Sequence, residues 1–189
     1  MSHGNQQDLE WIWRGIRFRL PGSWEMLQFS TEHDRGRCAF ADRRQFRTEI
    51  SWSMVQGEPD YDRMVSGYMS KLQLEKKLSD PTPLKRCGWH GFEGRMFGLW
   101  TSRFGLYFKE LGCLLEWVMI WPDGRDQDLE ASILSDTAPA VEADRDGLVT
   151  WRAFGLDLRV PKEAAFEGAT VQPARAEFSF IDPKSGNAW

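Results

Sequence analysis

Two short-range pairs of side chains could support metal or nucleophile chemistry. His33 and Cys38 stand five residues apart, and Cys87-Gly88-Trp89-His90 is a Cys-x-x-His. A zinc site needs several such ligands converging, usually with a Cys-x-x-Cys or His-x-x-x-His element among them, and neither pair supplies one. Cys38 and Cys113 sit in apolar, strand-like runs, where a thiol behaves as a small hydrophobe. A dyad of Cys87 with His90 would need its two side chains to meet, yet residues three apart on an extended strand point to opposite faces. The remaining histidine, His3, belongs to a polar amino-terminal tail expected to be mobile. The chain has no Gly-x-Ser-x-Gly elbow, Walker loop or dinucleotide glycine loop. Glu75, Glu93, Glu110 and Glu116 show no spacing signal, and a solvated face accounts for them. No catalytic residue, no metal and no cofactor is therefore expected.

Tryptophan is the unusual quantity, with ten in 189 residues. Each buries on the order of 150–250 Å², more in sum than one small core holds, so some are expected at an edge or interface. Arg14, Arg17, Arg19, Arg43, Arg44 and Arg47 lie close in sequence to Trp11, Trp13, Trp24 and Trp52. Trp with Arg is the composition of protein–protein hot spots. The candidate binding face is thus Trp11, Trp13, Arg17, Arg19, Trp24, Arg43, Arg44 and Trp52. A Trp-rich core covered by Arg stems explains the same residues. Stacking on carbohydrate or single-stranded nucleic acid uses them too. However, 24 Lys and Arg against 28 Asp and Glu leave a net charge of −4, which argues against a nucleic-acid partner.

The elements that must carry these residues read as mostly strands. After the tail, residues 11–20 alternate Ile16, Phe18 and Leu20 with Arg17 and Arg19. Trp11 and Trp13 lie on the wrong parity, which a bulge at Arg14-Gly15 would correct. Pro21-Gly22 breaks the strand, and further strands follow at 24–29, 37–41 and 46–54. At Tyr61 the period changes. Tyr61, Met64, Val65, Tyr68, Met69 and Leu72 form the stripe of a helix over 61–78 with Asp60 as N-cap. Strands at 84–89, 92–100, 104–109 and 113–121 are expected next, with turns at His90-Gly91, Thr101-Ser102 and Leu111-Gly112. The last of these strands is apolar on both parities, which predicts a central position. A short helix at 128–134 closes the series. The amino-terminal sequence has no signal-peptide pattern, no apolar run is long enough to span a bilayer, and three scattered cysteines suit a reducing cytoplasm.

At an offset of 140 residues the opening returns. Trp11, Gly15, Arg19 and Pro21 meet Trp151, Gly155, Arg159 and Pro161, and Arg35, Phe40 and Asp42 meet Arg175, Phe180 and Asp182. Two strands ending in proline can look alike by chance, but the first four identities fall inside one pattern, which favours an internal repeat. Residues 1–140 then form a complete unit. Residues 141–189 are a linker and the opening strands of an incomplete second copy, packed on the first unit or on another chain, or completed in a longer protein, the reading favoured.

The opening Gly-Ile-Arg-Phe-Arg-Leu-Pro-Gly-Ser-Trp, with Pro21 and Trp24, resembles the PsbP-like and DcrB-like families over residues 1–140. In the second copy Pro161 lacks the following Trp. The resemblance implies an α+β fold, an antiparallel β-sheet packed between helices as a PsbP-like α/β/α sandwich, used for binding proteins rather than for catalysis. The expectation is a cytoplasmic protein-binding or adaptor module without membrane or nucleic-acid contact, for which a homo-oligomer is an open state. The alternative is an enzyme or small-ligand binder with a pocket between the 61–78 helix and the sheet.

Overall fold

The computed structural model describes residues 8–140, 142–172, 175–186 and 188; His3 and Trp189 lie outside them. The chain opens with a hairpin of β1 (Asp8–Trp13) and β2 (Ile16–Pro21). It continues through β3 (Glu25–Phe29), β4 (Arg35–Ala41) and β5 (Phe46–Met54) to α1 (Tyr61–Leu74). β6 (Leu78–Arg86), β7 (Trp89–Met96), β8 (Leu99–Phe108) and β9 (Cys113–Trp121) follow, then α2 (Gln127–Asp136) and β10 (Ala138–Pro139). The last four strands are β11 (Leu148–Ala153), β12 (Leu156–Pro161), β13 (Ala165–Gln172) and β14 (Arg175–Ile181).

The expected α+β sandwich, a sheet between helices, is not what this chain forms. Strands dominate, in sheets of seven (β3-β4-β5-β9-β8-β7-β6), five (β10-β2-β1-β11-β12) and two (β13-β14). One face of the seven-stranded sheet carries Phe40, Ile50, Trp52, Leu115 and Trp117. It is covered by the five-stranded sheet through Trp11, Trp13, Phe18 and Leu20. The other face carries Phe92 and packs under α1 through Val65, Met64 and Leu72. The physical reason is the pattern of β1 and β2: their apolar side chains alternate on one face of a hairpin, and such a hairpin buries that face best on another sheet. α2 sits at the end of the same core, where the Trp89 indole N–H donates to the Leu134 carbonyl (3.0 Å) and the Trp117 N–H to Thr137 Oγ1 (3.2 Å).

The α1 stripe and its Asp60 cap lie as the periodicity predicts, the carboxylate accepting from the Arg63 N–H at 3.0 Å. The helix ends at Leu74 rather than 78 because Leu78 is buried as the first residue of β6. β9 is central, flanked by β5 and β8. The bulge expected at Arg14-Gly15 is instead a two-residue turn. Both residues have positive φ (52° and 73°), as a type I′ hairpin requires. The turn restores parity, since Trp11 faces Phe18 and Trp13 faces Ile16 across the hairpin. Similar turns at Cys87-Gly88 and Phe97-Gly98 replace those expected at His90-Gly91 and Thr101-Ser102. Gly91 is needed for another reason: a Cβ there would lie 1.9 Å from the Arg103 carbonyl oxygen of the neighbouring strand.

β11 and β12 repeat β1 and β2 at an offset of 140, with Phe154-Gly155 (φ 53° and 75°) in the place of Arg14-Gly15. The agreement extends to β3-β4 and β13-β14, whose register shifts fall at Met26/Gln28 and Phe166/Gly168. The Asx turn is shared as well: the Arg44 N–H donates to Asp42 Oδ1 (2.7 Å) and the Lys184 N–H to Asp182 Oδ1 (2.8 Å). β1 pairs antiparallel with β11, and the paired residues Ile12 and Arg152 are themselves equivalent. An approximate two-fold axis therefore passes between them. The boundary expected near residue 140 runs between strands that share this sheet.

Candidate functional site

The tryptophans proposed as a binding face lie in the core. Trp11, Trp13, Trp24 and Trp52 are 6%, 1%, 6% and 3% exposed. Of the arginines grouped with them, Arg17 and Arg19 project outward from β2, Arg19 pairing with Glu10 at 3.5 Å. Arg43 and Arg44 stand exposed in the Asp42 turn. There the Arg44 and Gln45 N–H groups and the Arg47 guanidinium bind Asp42. They outweigh the effect of burial and hold its carboxyl below the usual range. The eight residues thus do not form one exposed aromatic patch. The large apolar side chains that are exposed, such as Leu27, Leu74 and Phe97, are none of those tryptophans.

Nor do the thiol and imidazole pairs converge. Cys87 occupies a turn, with its Sγ 3.2 Å from Ser135 Oγ, while His90 stacks on Tyr61 at 4.0 Å between ring centroids. Among the described residues no three His, Cys, Asp or Glu side chains are placed to hold a metal ion. All three thiols are free. Burial raises the Cys38 thiol pKa far above its ordinary value, which leaves it unsuited to act as a nucleophile near neutral pH. Glu130 is fully buried but is bound by Arg125 (2.6 Å) and by Arg86 (3.4 Å), the latter tying α2 to β6.

Two of the concavities among the described residues bear on these readings. A groove of about 540 Å³ runs between α1 and the β6-β7 edge, the place of the alternative pocket. Its charged side chains, Asp62 and Lys85, approach each other at 3.7 Å. A second cavity of about 450 Å³ opens beside the Arg14-Gly15 turn, walled by Trp52, Trp151, Phe166 and Met54. Here the Arg14 guanidinium lies over two rings, with Cζ 5.6 Å from the centroid of Trp52 and 5.2 Å from that of Phe166. Its Nη2 donates to the Thr31 carbonyl, and its buried Nε has no partner among the described residues. Burial lowers its pKa, the electrostatic effect of Cys38 acting weakly the other way. The indole N–H groups of Trp11, Trp13 and Trp52 likewise lack acceptors, whereas those of Trp89, Trp117 and Trp121 have them.

Reasoning from sequence set Arg14 beside tryptophans as part of a hot-spot composition or as a covering stem, left it out of the candidate binding face, and missed Phe166 and Trp151 as its neighbours. The available signal was the repeat itself, which sets a cation at position 14 where the other copy has a phenylalanine.

No protein-family model matches the chain, and no curated protein does. Among solved structures, a crystal structure from Bacteroides thetaiotaomicron VPI-5482 is similar at 12% identity with a TM-score of 0.41. The match covers 78% of this chain and 54% of that one, so the chain spans about half the length of the protein it matches. No helix among the described residues is long and apolar enough to cross a membrane.

Proposed function

We propose that the chain is a non-catalytic binding module that holds a small molecule in the cavity beside the Arg14-Gly15 turn. The observation that carries this reading is the cavity's make-up: about 450 Å³, aromatic walls and one half-buried cation without an ion-pair partner among the described residues. Ligand pockets are of this size and are largely apolar with a few polar groups that fix orientation. The burial of the tryptophans counts against a flat protein-binding face. The shared registers of β1-β4 and β11-β14 support a duplicated origin, with the cavity between the two copies. Free thiols at Cys38, Cys87 and Cys113 support a cytoplasmic setting.

The test is an NMR titration with 2-naphthamide and 2-naphthoate. At least one should saturate a single site, and Ala164→Phe, which fills the cavity wall, should abolish binding while the fold is retained. If neither probe saturates, or if Ala164→Phe leaves binding unchanged, the reading is rejected.

A further inference from the structure

We infer that the ligand of this cavity is an acid, with an apolar body between Trp52, Trp151 and Phe166 and a carboxylate on the Arg14 guanidinium. The inference rests on the cavity reading above and adds the ligand's chemistry. It starts from the two-fold comparison. Phe154, the equivalent of Arg14, occupies the same left-handed turn position and is packed by Trp11, Trp13, Phe29 and Phe178 at centroid distances of 5.8 to 6.4 Å. The fold therefore accepts a large apolar residue at this turn. At position 14 it carries a cation instead, and nothing in the turn's backbone demands one.

A cation moved out of water needs compensation, normally a carboxylate. Arg14 has no carboxylate within ion-pair distance among the described residues; it receives two ring faces and one carbonyl. Ring faces stabilise a guanidinium without consuming its in-plane N–H donors, so the planar fork stays available to an incoming group. Carboxylate matches that fork in shape and charge. The nearby charge does not oppose this, since Lys162 also lines the cavity and offsets the single carboxylate of Glu163, which leaves the Arg14 charge uncompensated. The equivalents of Trp13, Phe29 and Phe178 are Ala153, Ala169 and Cys38, so three of the four rings that pack Phe154 have no counterpart at the Arg14 tip.

The experiment is calorimetry at neutral pH with 2-naphthoate and the neutral isostere 2-naphthamide, on the unaltered chain, Arg14→Gln and Arg14→Phe. On the unaltered chain naphthoate should bind at least about tenfold tighter than the amide, the difference expected of one charge-assisted hydrogen-bonded contact. In Arg14→Gln that preference should vanish. Arg14→Phe should lose naphthoate binding with its melting temperature kept. Equal binding of acid and amide to the unaltered chain overturns the acid inference and leaves the cavity reading standing. A preference that survives in a folded Arg14→Gln variant removes Arg14 from its role. Failure of both probes rejects the cavity reading itself, and the comparison of the two probes on the unaltered chain decides the question even if a variant fails to fold.

Discussion

The two β-hairpins share length, turn geometry and register, yet their tips have opposite surroundings. Around Phe154 the chain places three tryptophan or phenylalanine rings from the first half and Phe178 from the second, an ordinary aromatic core. Around Arg14 it leaves a cavity and a cation whose buried Nε has no partner among the described residues. Each tip holds a bulky side chain at positive φ, at a cost of about 1 kcal/mol. Phe154 offsets that cost with packing, while Arg14 does so incompletely. The same backbone thus has one tip arranged for stability and one whose composition stability alone does not explain. Such local conflict with an otherwise consistent fold is a mark of function.

The most severe way to break this comparison is to end the chain at Ala140. The remainder loses Trp151, Val160 and Phe180 from the main core and uncovers the β1 edge. Burial of three such side chains corresponds to about 5 kcal/mol, and chemical denaturation should show a loss of that order or a non-cooperative transition. An unchanged midpoint would mean that the two hairpins are energetically independent. Next in size, Phe154→Ala should destabilise by about 3 kcal/mol as a cavity-forming change. Arg14→Ala should cost no more than about 1 kcal/mol. Equal losses in urea unfolding would show that both tips are structural.

How much of this could be read from the chain alone follows the range of the interactions. The α1 stripe, the Asp60 cap and the two-sided β9 are local patterns, and they were legible. The 140-residue offset was legible too, because Trp, Gly, Arg and Pro recur in one register. The turns at Cys87-Gly88 and Phe97-Gly98 were not, since a bulky residue precedes glycine where asparagine is the usual signal. The sheet-on-sheet architecture escaped because an amphipathic hairpin looks the same whether a helix or a sheet will cover it. The cavity escaped for a stronger reason. Arg14 meets Trp52 where the two large sheets pack, Trp151 joins them through the pairing of β1 with β11 and Phe166 comes from the β13-β14 hairpin, none of which a local periodicity reports.

Smaller effects sharpen the symmetry. Gly15→Ala and Gly155→Ala, each at φ near 75°, should cost about 1 kcal/mol apiece and nearly the same amount. A large difference would show that one turn is held more rigidly than the other. The smallest expected effect concerns the equivalent carboxyls. Ser185 and the Lys184 N–H hold Asp182 below its usual range, as the Arg44 turn holds Asp42. A depressed folded-state pKa stabilises above the unfolded value and loses that contribution as pH falls through the folded one. Both carboxyls should therefore titrate low by NMR, and acidification below about pH 4 should weaken both turns. A normal titration at either position would break the equivalence.

Pairing β1 with β11 also sets an order in time. Hairpins close in about 1–10 μs, whereas joining strands 140 residues apart carries a larger loop-closure entropy and is a slow, non-local step. The Arg14 tip can therefore form early, but the walls supplied by Trp151 and Phe166 arrive last. A molecule that binds there recognises only the finished fold. It should slow unfolding, and an unchanged refolding rate would place the β1–β11 contacts after the transition state, whereas a faster one would place them in it.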